Sequence, residues 1–306
     1  MTYDIEFDKV TKHYNKHLAV NDISLKVQKG TIFGLLGSNG AGKTTLMRMI
    51  VNLLAPDSGE VIVFGETPSP NIQRQIGYLP EGRGLYKLMT VGEQLTFFAK
   101  LKGLGRREAN RRIDTWLERL SMAHCKHKIP IELSRGMHQR IQLIAAMVHD
   151  PRLLILDEPF TGLDPAAVST LKEIILDMKR ERKTIVFSTH NMEQVEQLCD
   201  NICLIHQASK VIDGPLSEVK MRYGYDTVIL DAVASNNLDG IDSLLGDELI
   251  TKATRYPNYY ALQLKNGTDS QEILRRVMDA KVRVNRFELQ KPSMNDIFVS
   301  LLQDQK

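Results

Sequence analysis

Along residues 1–30 apolar and polar positions alternate in short runs, with Ile5 and Phe7, then Ile23, Leu25 and Val27, on one side. That is the period of antiparallel strands with one wet face. Lys29-Gly30 marks a turn. Thr31 to Leu36 is an unbroken apolar run that ends in glycine and opens into a helix expected over Thr44 to Leu54. From about residue 87 to 150 the period becomes helical, with one apolar stripe at Trp116, Leu117 and Leu120 and another at Ile141, Ile144, Ala145 and Val148. Arg152 to Leu156 and Thr184 to Ser188 are short apolar runs bracketed by helical segments, as buried parallel strands are. The pattern predicts an α/β domain with an antiparallel edge and a helical insertion over residues 1–220.

Around residues 215–225 the texture changes. Gln271 to Ala280 carries Ile273, Leu274, Val277 and Met278 on one helical face, and Lys281 to Phe287 mostly alternates like a strand. A last helix is expected from near Ser293, with Asp296 as a weak capping-box partner, burying Ile297, Phe298, Leu301 and Leu302. A small, separate α+β domain over 221–306 is the expectation.

Composition narrows the function classes. The 306 residues are 42% hydrophobic and 25% charged, with a net charge of +3, too small to argue for nucleic acid. The basic clusters at Arg106, Arg107, Arg111 and Arg112, and at Lys179, Arg180, Arg182 and Lys183, are interrupted by Glu108 and Glu181 and read as solvated helix faces. Three cysteines, Cys125, Cys199 and Cys203, argue against a disulfide framework and for a reducing compartment. His124, Cys125 and His127 match no common zinc spacing. The first ten residues are too polar for a signal peptide, and no apolar run approaches the roughly 18 residues that suggest a membrane span. Any membrane role is therefore expected to come through a partner. Asn266-Gly267-Thr268 fits a glycosylation pattern but reads better as a turn.

Candidate chemistry concentrates at three strand ends. Gly37-Ser38-Asn39-Gly40-Ala41-Gly42-Lys43-Thr44 has the P-loop pattern between a strand and a helix. Its glycines let successive N–H groups converge on one anion, and the helix adds its positive N-terminal end. Lys43 is expected to reach the β- and γ-phosphates, and Thr44 to place its hydroxyl on Mg2+. In Leu153-Leu154-Ile155-Leu156-Asp157-Glu158 a hydrophobic strand delivers two carboxylates at its C-terminal end, where α/β sheets bind ligands. Asp157 suits the Mg2+ shell through water, and Glu158 suits a base that orients the attacking water. His190, at the end of the next strand, can donate to a γ-phosphate, although alone it reads as structural. Tyr14 either packs or stacks on adenine.

Together these pieces resemble the ABC ATPase family, over roughly residues 3–220. Leu133-Ser134-Arg135-Gly136-Met137 looks like the family's signature, Thr161-Gly162-Leu163-Asp164 like its D-loop, and Ser188-Thr189-His190 like its switch histidine. The resemblance implies a P-loop ABC ATPase core, in which a parallel sheet is joined to an antiparallel β subdomain and a helical subdomain. It implies that Tyr14 stacks on adenine, that Thr45 joins residues 37–44 at the phosphates, and that Ser134, Arg135 and Gly136 cap the γ-phosphate held by a second subunit. Each active site would then be shared by two chains, which calls for a C2 or pseudo-symmetric dimer. In Tyr78-Leu79-Pro80-Glu81-Gly82, Glu81 stands where the family usually has glutamine, still a hard oxygen ligand for Mg2+ but with an added charge. Arg135 and Met137 stand where glycine and glutamine are commoner. These departures, Gly84-Leu85-Tyr86, and the tail Lys291-Pro292-Ser293-Met294-Asn295-Asp296-Ile297-Phe298 are similar to the branch that energises ABC-2-type exporters.

The resemblance therefore implies an ATPase subunit, with ATP and Mg2+ as cofactors, a second ATPase subunit and a separate membrane permease as partners, and a place on the cytoplasmic face of the cell membrane. The loop after Glu81 and the helical insertion would receive the permease. The alternative, a soluble ABC protein acting on ribosomes or nucleic acid, fits less well: the chain has one ABC unit, no long coiled-coil or zinc insertion and no strong basic stripe.

Overall fold

The computed structural model describes residues 2–15, 17–82, 84–222, 227–232, 248–256, 259–265, 267–280, 283–290 and 293–303. The chain divides into two compact units, Met1–Leu216 and Ser217–Lys306.

In the first unit, β1 (Tyr3–Tyr14), β2 (His17–Gln28) and β4 (Ser58–Val63) form an antiparallel sheet in the order β2-β1-β4. Alternation along β1 and β2 sends Ile5, Phe7, Ile23, Leu25 and Val27 into the core, as the sequence pattern requires. The second sheet has six strands in the order β5-β6-β7-β3-β8-β9. These are β3 (Ile32–Leu36), β5 (Ile76–Leu79), β6 (Leu153–Leu156), β7 (Thr184–Thr189), β8 (Asn201–His206) and β9 (Ser209–Pro215). All neighbours are parallel except β8 and β9. Strands β3, β6 and β7 are buried at every residue, which is why they read as continuous apolar runs.

Helix α1 (Lys43–Ile50) follows β3. It was expected to reach Leu54 but stops at Ile50: Val51 caps it, and Asn52 takes a left-handed φ of 56° that a helix cannot continue through. A short α2 (Pro70–Gln73) precedes β5, and the helical insertion comprises α3 (Val91–Leu101), α4 (Arg106–Arg119) and α5 (Arg135–Met147). Leu117 and Leu120 from one predicted stripe and Ile141, Ile144 and Val148 from the other are buried, Trp116 and Ala145 only partly. A full capping box starts α3, where Thr90 Oγ1 accepts from Glu93 N and Glu93 Oε2 accepts from Thr90 N. Helices α6 (Pro165–Arg180) and α7 (Met192–Leu198) complete the unit. The basic clusters are ion-paired faces: Glu108 with Arg111 and Arg112, Asp177 with Arg180, Asp200 with Lys179.

The second unit begins with α8 (Leu216–Arg222), whose first residue belongs to the first unit. It holds an antiparallel sheet in the order β11-β12-β10-β13, from β10 (Thr227–Ala232), β11 (Ile250–Arg255), β12 (Tyr260–Leu264) and β13 (Val284–Gln290). Helix α9 (Ser270–Asp279) closes a core of Val228, Leu230, Leu262 and Leu264 with its Ile273 and Val277. Met278, expected on that face, is 62% exposed, because it lies one residue past Val277, about 100° round the helix. Helix α10 (Met294–Gln303) is capped by Ser293 and Asp296 and buries Ile297, while Phe298 and Leu301 are half-buried. Asn266, Lys281, Val282, Lys291, Pro292 and the Leu302 side chain, which entered the sequence expectations, lie outside the described residues.

Candidate functional site: a phosphate cleft at the sheet's C-terminal edge

The loop 37–42 crosses from β3 to α1 and leaves no room for a side chain at its two ends, Gly37 and Gly42. Gly42 has φ +111°, and a Cβ there would lie 2.4 Å from the Ala19 carbonyl. Above the loop lies a cleft of about 310 Å3, lined by Tyr14, His17, Ala19, Asn39, Gly40, Gly42, Lys43, Thr44, Thr45, Glu81, Asp157 and Glu158. It opens at the carboxyl ends of β3 and β6, where such sheets bind ligands.

Lys43 is 6% exposed, and its Nζ donates to the carbonyls of Gly37 (2.8 Å) and Ser38 (3.0 Å). Burial lowers the pKa of this ammonium, while Glu158, Asp157 and Glu81 oppose the shift. Thr44 Oγ1 donates to Asp157 Oδ2 at 2.7 Å, and Ser188 Oγ donates to Asp157 Oδ1 at 2.6 Å. The buried Asp157 carboxylate is thus held from both sides, with a threonine hydroxyl beside it. Two adjacent hard oxygens at the floor of an anion cleft suit a small divalent cation.

Glu158 follows β6 with a left-handed φ of +49°, costly for a non-glycine residue. Its N–H donates to Ser188 Oγ at 2.8 Å, and its Oε1 lies 3.0 Å from His190 Nδ1, which must carry the hydrogen if the carboxylate accepts. His190 is 64% exposed at the side chain, so Glu158, at 12%, is the partner the protein fixes. Ser188 joins Asp157 to Glu158, and sequence reasoning missed this bridge. The signal was there: a serine directly after the apolar run Ile185, Val186 and Phe187 of a fully buried strand must find hydrogen-bond partners.

The structure therefore brings Tyr14, Asn39, Gly40, Gly42, Lys43, Thr44, Thr45, Glu81, Asp157 and Glu158 around one cleft, with His190 on Glu158, while Gly37, Ser38 and Ala41 do not line it. Ser134, Arg135 and Gly136 do not line it. They open α5, where Ser134 Oγ accepts from Met137 N at 3.3 Å as N-cap. Among the described residues, no group of three metal-ligating side chains forms around His124, Cys125 and His127, and Cys125 is buried.

A P-loop on an α/β sheet, with paired carboxylates and a histidine at neighbouring strand ends, defines a nucleoside-triphosphate-binding protein. The ABC transporter family matches residues 20–161, and the C-terminal domain of DrrA1-3-like ATP-binding proteins matches residues 214–302. The chain is similar to YhaQ, an ABC transporter ATP-binding protein of Bacillus subtilis, at 41% identity over 96% of this chain and 97% of that one. It is also similar to the bacitracin transport ATP-binding protein BcrA of Bacillus licheniformis, at 37% identity over 72% of this chain and 73% of that one. A solved ATP-binding subunit of an ABC transporter superposes with a TM-score of 0.68 at 30% identity, covering 73% of this chain and 94% of that one. The chain belongs to the ABC transporter ATP-binding proteins, and is an ATPase of that family.

Proposed function

We propose that this subunit powers export through a separate membrane permease, as one of two ATPase subunits that close on ATP at the cytoplasmic face of the cell membrane. The observation that carries the permease is an apolar groove in the first unit, lined by Tyr78, Pro80, Leu85, Phe98, Leu101 and Ala145. Beside it, Leu88 is 94% and Leu101 59% exposed, with Tyr86 and Phe97 also exposed. Such a patch marks a protein contact, and it adjoins the Glu81 loop. Among the described residues no helix is long and apolar enough to cross a membrane. The relative BcrA is named for bacitracin transport, which supports a transport role.

In this reading Tyr14 stacks on adenine, and the backbone of Gly37, Ser38, Asn39, Gly40, Ala41 and Gly42, with Lys43, Thr44 and Thr45, wraps the phosphates. Thr44, Asp157 and Glu81 would hold Mg2+, which when bound neutralises charge on the β- and γ-phosphate oxygens. Lys43 leaves the Gly37 and Ser38 carbonyls to meet the phosphate. Glu158 orients the water for in-line attack, and His190 steers Glu158 and the γ-phosphate. Ser134, Arg135 and Gly136 of a second, identical subunit close the site, and hydrolysis releases them. No role for nucleic acid is proposed.

The test uses tagged Glu158→Gln chain in native membranes. It is expected to bind ATP but turn it over at least about a hundredfold more slowly than wild type, the scale of a lost general base, and to co-purify with a polytopic membrane protein in stoichiometric amount. Wild-type turnover would remove Glu158 from its role, and recovery of ribosomes or only soluble proteins would overturn the export reading.

A further inference from the structure

Behind the nucleotide cleft lies a second, polar cavity of about 250 Å3, walled by Glu81, Glu158, Thr161, His138, Gln142 and Arg135. Glu81 and Glu158 line both spaces. They share the first with Lys43, Thr44 and Asp157, and the second with Arg135.

Arg135 is the first residue of α5, and its side chain does not simply point away into solvent. Its Nε, Cδ and Cγ lie 3.1, 3.4 and 3.5 Å from where a Cβ on Gly162 would sit. The guanidinium stem therefore runs across the loop that follows Glu158, in the same chain, where glycine at 162 (φ +79°) leaves it room. The same helix is fastened to both carboxylate-bearing loops. Gln142 Nε2 donates to the Gly82 carbonyl at 2.9 Å, beside Glu81. Gln139 Nε2 donates to the Pro159 carbonyl at 3.3 Å, beside Glu158, and Arg140 pairs with Asp164 at 2.5 Å. Helix α5 thus holds Glu81, Glu158 and Arg135 in one frame.

We infer that Arg135 acts within its own chain as the counter-charge to Glu81 and Glu158, setting how strongly these carboxylates draw a divalent cation to the nucleotide. The inference rests on the nucleotide site proposed above. Glu81 and Arg135 are the two charge-bearing departures from the family pattern, one negative and one positive, and they face one cavity. Removing the Arg135 charge leaves less positive charge around the carboxylates beside Thr44 and Asp157, with Lys43 still facing them, and so attracts Mg2+ more strongly. The coupling acts across a solvated space, so it is modest and weakens with ionic strength.

The experiment titrates Mg2+ into full-length chain with a fluorescent ADP, at concentrations where sedimentation shows a monomer, so that a second subunit's α5 plays no part. Arg135 is exposed, and neither Arg135→Gln nor Arg135→Lys threatens the fold. Arg135→Gln is expected to lower the half-saturating Mg2+ about two- to fivefold, as loss of one nearby charge does. Arg135→Lys should match wild type, Glu81→Gln should raise the midpoint, and the Arg135→Gln effect should shrink as salt is raised. A midpoint unchanged by Arg135→Gln, or a shift insensitive to salt, overturns the inference while leaving the nucleotide site intact. Wild-type chain that binds no ADP would overturn the site and the inference with it.

Discussion

At the scale of single residues, the protein spends strain and buried polarity where its chemistry lies. Glu158 takes a left-handed backbone at the end of an otherwise regular strand, stabilised by Ser188, which also holds Asp157. His149 is another buried polar group, outside the cleft. Its Nε2 donates to the Ile76 carbonyl at 3.2 Å, and its Nδ1 is buried with no partner. Burial, with Lys102 nearby, pushes its pKa down from 6.5 to about 4. The unfolded chain therefore binds more protons at this residue between those two values. Stability from the neutral ring is complete above pH 6.5 and is lost as pH falls towards 4, by up to about 3 kcal/mol. His149→Asn should remove this part of the slope, so that urea unfolding of variant and wild type converges as pH falls from 7 to 4. A constant gap would show that His149 does not titrate this way.

At the scale of elements, α5 carries most of the traffic between loops. Its apolar stripe was legible from the spacing of Ile141, Ile144 and Val148, because a helix between a sheet and two other helices must bury one face. Its polar contacts were not legible. Gln139, Arg140 and Gln142 read as ordinary helix-surface residues until the fold brings Pro159, Asp164 and Gly82 against them. Ile144 is fully buried, and Ile144→Ala should cost about 3 kcal/mol in urea unfolding through lost contacts and a residual cavity. A cost under about 1 kcal/mol would mean that the helix repacks freely. The end of α1 shows the reverse case: Leu53 continues an apolar series in sequence, yet it is 63% exposed because the chain turns at Asn52.

At the scale of the molecule, the nucleotide cleft is built wholly from the first unit, which has its own core, and the second unit has another. A chain ended after Arg222 is expected to bind fluorescent ADP as the full-length chain does. Weakened binding would mean that the tail supports the site.

The sequence by itself determined the strand-loop-helix of the phosphate site, the carboxylates of β6, the two helical stripes and the change of texture near residue 220. Each is a local pattern, where spacing dictates which face is buried or which N–H groups converge. Tertiary structure alone decided that Ser188 would bridge Asp157 and Glu158, that Lys43 would rest on its own loop, and that Arg135 would lie across Gly162. Ser188 and Arg135 lie tens of residues from the groups they meet, and even the short reach from Lys43 back to Gly37 follows no helix or strand period. They follow only when burial forces each polar group to find the partner that the packed strands bring within reach.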